Sequence, residues 1–210
     1  MTQSKPIIGV TGNSGSGKGA ISTILREMGG FYLDADNLAH KVMEHGQPAY
    51  NEVLEMFGPN VLTPDKSFDR KKIGDIVFRN PDKRKALEQI VHAHVVNEFE
   101  LLTTSAYNKS DYTFIIWDAP LLTEAGMHLK CNLVLLVTAP YFTKLSRIIK
   151  RDNITEERAK LRLSNQPSDE DLYKRLTADI GEALVTIIEN TGTLEDLEDK
   201  TRMVLEGFSD

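Results

Sequence analysis

Apolar positions along the chain fall into two alternating patterns. Short continuous runs rich in β-branched residues are separated by longer stretches whose apolar positions recur at helical spacing. The runs are Pro6-Ile7-Ile8-Gly9-Val10-Thr11, Phe31-Tyr32-Leu33 ending at Asp34, Thr113-Phe114-Ile115-Ile116-Trp117 ending at Asp118, Leu133-Val134-Leu135-Leu136-Val137, and Leu184-Val185-Thr186-Ile187-Ile188. Continuous runs of this kind predict strands covered on both faces. Their alternation with helical stretches predicts an α/β fold, a five-stranded parallel sheet with right-handed crossovers. A Gly-rich turn follows the first run, and a helix is expected from about Lys18 to Met28.

The interval from Asp36 to about Asn108 breaks this rhythm. It holds no convincing strand, and Pro48, Pro59, Pro64 and Pro81 punctuate it. Its longest helical pattern runs from Asp82 to Phe99, with Leu87, Ile90, Val91, Val95 and Phe99 at helical spacing. The interval reads as a helical subdomain inserted between strands. A second charged stretch, Lys144 to Lys160, reads as a helix.

Bulk properties narrow the class. A chain of 210 residues suits one α/β domain with an added subdomain, and can bury a sizeable core. A single cysteine, Cys131, cannot form an intramolecular disulfide or a multi-cysteine zinc site, which fits a reducing cytoplasm. The polar segment before Ile7 is unlike a secretory signal, and no apolar run approaches the roughly 20 residues that span a bilayer. Lys and Arg number 25 against 31 Asp and Glu, a net charge of −6 that disfavours a general nucleic-acid binder. A small anionic ligand needs only a local positive pocket.

Such a pocket has a clear candidate. Gly12-Asn13-Ser14-Gly15-Ser16-Gly17-Lys18 fits G-x-x-x-x-G-K between a predicted strand and a predicted helix. Glycines let successive backbone N–H groups turn inward on an anion, and the helix N-terminus adds partial positive charge. Lys18 is placed to reach the β- and γ-phosphates of a nucleotide. The next position, normally Ser or Thr holding Mg²⁺, is here Gly19, followed by Ala20.

Parallel sheets present reactive groups at the carboxyl ends of their strands. Asp34-Ala35-Asp36 follows the second run and Asp118 the third. Asp36 is the candidate base for an acceptor hydroxyl, with N-cap of a helix over Asn37–Glu44 as its structural alternative. Asp34 would support metal-bound water or helix entry. Asp118, after an apolar run, has the setting of a magnesium-binding acid.

Taken in order, these residues resemble the dephospho-CoA kinase family. The segment Asp34-Ala35-Asp36-Asn37-Leu38-Ala39-His40 is similar to its D-A-D-x-x-A-H. Phe57-Gly58, Val61-Leu62, Asp65, Phe68-Asp69-Arg70 and Val77-Phe78 resemble its F-G…I-L…D-G-x-L-D-R…V-F stretch. Ile90-Val91-His92-Ala93-His94 is similar to its L-x-H-P-H, and Asp118-Ala119-Pro120-Leu121-Leu122-Thr123-Glu124 to its D-x-P-L-L-F-E. Arg147 and Lys150-Arg151-Asp152-Asn153 resemble its lid, and Asn190-Thr191-Gly192 its late N-x-G.

The resemblance implies transfer of a phosphoryl group from ATP, with Mg²⁺, to the ribose 3′-hydroxyl of dephospho-CoA in the last step of coenzyme A synthesis. It implies a P-loop core over residues 1–36, 109–146 and 167–210, a CoA-side insertion over 37–108 and a lid over 147–166. Asp36, Lys18 and Arg151 would be catalytic. Gly12 to Ala20 with Arg147 and Asn190 would bind ATP, Asn190 at the adenine edge. Asp34, Asp36, Arg70, His92, Leu121 and Glu124 would face the acceptor, and Asp118 the metal. Arg147, Lys150 and Arg151 share a helical face that suits a phosphoryl clamp. The expected partner is a small molecule, with no nucleic acid or membrane, for a monomer or weak oligomer. Gly19-Ala20 in place of Ser-Thr, Ala93 after His92, Thr123 before Glu124 and an early Ala178-Asp179 depart from the family pattern. They leave two alternatives open, a related nucleoside or nucleotide kinase with another acceptor and a nucleotide-binding regulatory protein.

Overall fold

The computed structural model describes residues 4–109, 111–120 and 122–209. In chain order the elements are β1 (Ile7–Thr11), α1 (Lys18–Glu27), β2 (Gly30–Asp34), α2 (Ala35–Val42), α3 (Tyr50–Phe57), α4 (Arg70–Arg79) and α5 (Pro81–Tyr107). Then come β3 (Phe114–Asp118), β4 (Leu133–Thr138), α6 (Tyr141–Asp152), α7 (Glu156–Ser164), α8 (Asp169–Ile180), β5 (Val185–Glu189) and α9 (Leu194–Ser209). The five strands form one parallel sheet in the order β2-β3-β1-β4-β5. Ile8 pairs with Ile116 on one side of β1 and with Leu133 on the other.

That order explains the burial along each run. β1 and β3 are buried throughout, and five of the six residues of β4 are buried. The outer strand β5 is buried only at Val185 and Ile188, leaving Ile187 48% exposed, and β2 is only partly buried. Cover on both faces was expected of all five runs. It fails at these two because an edge strand has a neighbour on one side only. Ile8, Val10, Ile21, Leu25, Ile116 and Leu135 form the heart of the core. Each such side chain contributes about 1.5–3 kcal/mol by leaving water. Trp117 and Cys131 are buried, and burial pushes the Cys131 thiol up to about 12, so it is packing rather than chemistry.

The chain divides into two compact units, Met1–Leu33 with Ser105–Asp210, and Asp34–Thr104. The second is helical, with Val53, Val61 and Ile73 buried and Phe57, Phe68, Leu87 and Ile90 packed around them. Its helix α4 starts where the Asp69 side chain accepts from the Lys71 and Lys72 amides. Before it, Lys66 holds the left-handed conformation, φ 66°, in the turn closed by Lys66 N–H to the Thr63 carbonyl.

The single charged helix expected over Lys144–Lys160 is two helices. Asn153 adopts φ 50°, a left-handed stop at the end of α6, and Thr155 restarts the chain by capping α7. Leu145, Ile148 and Ala159 form the buried seam between these two helices.

Candidate functional site

The glycine-rich loop leaves the carboxyl end of the central strand β1 and enters α1. Gly12, Gly15 and Gly17 have φ of 144°, 79° and 99°, a region in which a side chain is strained. Space adds a second reason. A Cβ on Gly15 would lie 2.5 Å from the Lys144 carbonyl oxygen, and one on Gly17 would overlap the Asn190 amide. The loop is therefore pressed against α6 on one side and against the residue after β5 on another. Gly17 is the N-cap of α1 and supplies no side-chain cap. Among the described residues no side chain caps that helix start, and with the Ala20 N–H turned to the Gly17 carbonyl the N–H groups of Lys18 and Gly19 are the ones presented to an anion.

Arg147 and Asn190 fix the loop from behind. Arg147 donates to the carbonyls of Gly15 at 3.3 Å and Ser16 at 3.2 Å, and to the Asn190 side-chain oxygen at 3.3 Å. The Asn190 amide donates to the Ser16 carbonyl at 2.9 Å. These bonds satisfy the Gly15 and Ser16 carbonyls, while the Ser14 N–H is taken by Gln166 and the Ser16 N–H by the Asn13 carbonyl. Asn190 is buried with its amide spent on the loop, a different setting from the adenine edge expected of it.

At the neighbouring strand end, Asp118 is 6% exposed and gathers three donors. Ser22 Oγ donates at 2.7 Å, Tyr32 Oη at 3.2 Å and Lys18 Nζ at 3.4 Å. A carboxylate this buried needs such hydrogen-bond partners. Ser22 and Tyr32 were not anticipated. Ser22 lies one helical turn beyond Lys18 on α1, a spacing that was available in the sequence.

The remaining candidates are divided between the two units. Asp34 caps α2, accepting from the amides of Asp36 at 2.9 Å and Asn37 at 3.2 Å. The helix thus begins two residues earlier than the alternative that made Asp36 its cap. Asp36 stands exposed in the first turn of α2. In the same unit, Arg70 is exposed at the start of α4 and His92 is half-buried on α5. Glu124 is exposed and accepts from Thr123 Oγ1 at 2.7 Å. Leu121 lies outside the described residues. Arg151 does not turn to the loop with Arg147. It is exposed at the end of α6 and grips Asp152 with Nε at 2.7 Å and Nη2 at 3.0 Å, and Arg162 joins the same carboxylate. The hydrogen bond from Arg151, with its charge and that of Arg162, holds the Asp152 carboxyl down to about 2.

A nucleoside triphosphate fits the glycine-lined loop, its open helix start and Lys18. The described residues contain no cluster of three metal-ligating side chains, so a magnesium ion here would rest on phosphate oxygens and water with Asp118 as the nearby carboxylate. No helix of the described residues is long and apolar enough to cross a membrane.

Comparison with known proteins agrees with this chemistry. The family model for dephospho-CoA kinase matches residues 6–196. A dephospho-CoA kinase of Bacillus cereus is 36% identical over 203 residues, covering 97% of both chains. A Thermus thermophilus crystal structure superposes with a TM-score of 0.77 at 32% identity over 98% of both chains. The dephospho-CoA kinase of Campylobacter jejuni gives 0.65 at 27% identity over 95% of both. A match of this length, running through the loop, the strand-end carboxylates and the late asparagine alike, places the chain in the dephospho-CoA kinase family, a family of ATP-dependent P-loop kinases.

Proposed function

We propose that the protein transfers the γ-phosphoryl group of ATP to the ribose 3′-hydroxyl of dephospho-CoA, giving CoA and ADP. The observation that carries this reading is the uncapped start of α1 behind a glycine loop, with Lys18 held beside the strand-end carboxylate Asp118. The loop amides and the helix N-terminus hold the β- and γ-phosphates. Lys18 leaves Asp118 for the phosphate oxygens, where its charge follows the negative charge that builds on the transferred group. Asp118 would hold a magnesium ion through its water, and the ion would supply positive charge against the negative charge of the phosphates.

Asp36 takes the proton of the acceptor hydroxyl as the new P–O bond forms and the bond to the ADP oxygen breaks. Asp34 anchors the helix that carries it. Arg70, His92, Leu121 and Glu124 belong to the acceptor side. Arg151 serves the transferred group once it exchanges Asp152 for phosphate. The segment over residues 147–166, acting as a lid, keeps water from the γ-phosphate. A cytoplasmic setting suits these substrates.

The test is ADP release with ATP and Mg²⁺, with and without dephospho-CoA, and a mass measurement for CoA. Asp36→Asn should cut turnover by about a hundredfold or more while ATP still binds. Lys18→Ala should weaken ATP binding itself. ADP release that ignores dephospho-CoA, or ATP binding with no turnover, would replace this reading with a different acceptor or a regulatory role.

A further inference from the structure

Residues 166–169 and Lys144 of α6 converge on the first residues of the glycine loop. Asn13 is 7% exposed, and its side-chain amide donates to the Pro167 carbonyl at 2.9 Å and to Asp169 Oδ1 at 2.7 Å. The other oxygen of Asp169 accepts from Lys144 at 2.8 Å. The backbone N–H of Ser14 donates to the side-chain oxygen of Gln166 at 3.1 Å. Lys144 is 8% exposed, and a lysine buried that deeply needs a charged partner. Asp169 meets that need from the first turn of α8, where the helix start also favours its charge.

From these contacts we propose that Asn13, Gln166 and Asp169 are positioning residues through which the α7–α8 connection sets the shape of the phosphate cradle. Helix α7 then hangs between two fixed points, the Asn153 turn at one end and this clasp at the other. A displacement of α7 reaches the loop amides through Gln166 and Asn13 rather than through the nucleotide alone. The inference rests on the reading that the loop binds the phosphates of ATP.

Charge and geometry make opposite predictions here. Asp169→Asn removes a negative charge beside the cradle, which by charge alone would tighten a polyanion. The positioning role demands the reverse, because Lys144 and Asn13 lose their common anchor. Asn13→Ala removes the same link without leaving Lys144 unpaired, and so covers the case in which Asp169→Asn fails to fold. The probe is a non-hydrolysable ATP analogue with Mg²⁺ in titration calorimetry, alongside steady-state kinetics in dephospho-CoA.

Asn13→Ala and Asp169→Asn should each raise the analogue Kd about tenfold and leave the KM for dephospho-CoA within about twofold. The double variant should lose no more than about twofold beyond the weaker single, as expected of residues acting as one unit. Gln166→Ala should weaken the analogue too. Tighter binding by Gln166→Ala would make Gln166 a competitor of the phosphates, and additive losses or equal losses for both substrates would reduce the clasp to ordinary packing; either overturns the inference. An unaltered Kd in Lys18→Ala would instead remove the phosphate-cradle reading beneath it.

Discussion

Replacing Asn190 with alanine separates two roles for that side chain. If it reads the purine edge, its loss costs ATP recognition and spares nucleotides that pair differently. If it braces the loop, its loss weakens every nucleoside triphosphate alike. The geometry favours the brace, with the amide 2.9 Å from the Ser16 carbonyl and the oxygen 3.3 Å from Arg147. The first is a neutral hydrogen bond worth about 0.5–1.5 kcal/mol, the second a charge-assisted one worth about 1.5–3 kcal/mol. Arg147 keeps the Gly15 and Ser16 carbonyls, so part of the second survives. A net loss of about 2 kcal/mol is expected, about thirtyfold in Kd if it falls wholly on the bound state. Calorimetric titration with ATP and with GTP, both with Mg²⁺, measures it, and urea unfolding of the free protein captures the share lost from stability. A loss confined to ATP would return Asn190 to the purine edge and refute the brace.

Gly19→Thr should lower the Mg²⁺ concentration that half-saturates turnover, and tighten MgADP in calorimetry, because the position is exposed and a Cβ there meets nothing within 4 Å. An unchanged metal requirement would mean that the site has no use for a hydroxyl there. Lys66→Gly should raise stability in urea by up to about 1 kcal/mol, since the left-handed strain of a non-glycine residue exceeds what glycine gains in the unfolded chain; Lys66→Ala should not, and equal values for the two would remove strain from the account. The Asp152 carboxyl, depressed in the folded protein, contributes stability present above its unfolded pKa near about 3.9 and lost as pH falls toward 2. Its carboxyl carbon should titrate below the ordinary aspartate range by NMR, and Arg151→Ala should raise it part of the way back, Arg162 holding the rest.

The sheet was legible because each strand announces itself as an uninterrupted apolar run, and a parallel sheet puts the residues after those runs at one end. Lys18, Asp118 and the loop glycines follow from that rule. What the runs could not tell was strand order, and so which strands would be edges. Side chains that reach the loop from distant elements were also hidden. Asn13 meets Asp169, and Asn190 meets Ser16, across separations that no local pattern encodes. Lys144 was legible only as the start of a charged helical stretch, although it stands three residues before Arg147, and its backbone lies against Gly15 of the loop. The break at Asn153 did carry a local signal, an asparagine suited to a left-handed helix stop followed by Thr155 suited to a cap, but the charged residues on both sides made one continuous helix look natural.

The position of β1 has a consequence for how the protein is made. It precedes the other four strands of the sheet in the chain, yet it lies in the middle of that sheet, with Ile7 paired to Ile115 and Ile8 to Leu133. A nascent chain carrying the loop, α1 and the whole helical unit still lacks both neighbours of β1. The helical unit has its own core from local contacts, whereas the strand that launches the phosphate loop must wait for partners more than half a chain away. An emerging polypeptide therefore gains a folded helical unit before it gains the means to hold ATP, and truncation before β4 should leave an apolar strand with an open side and a tendency to self-associate.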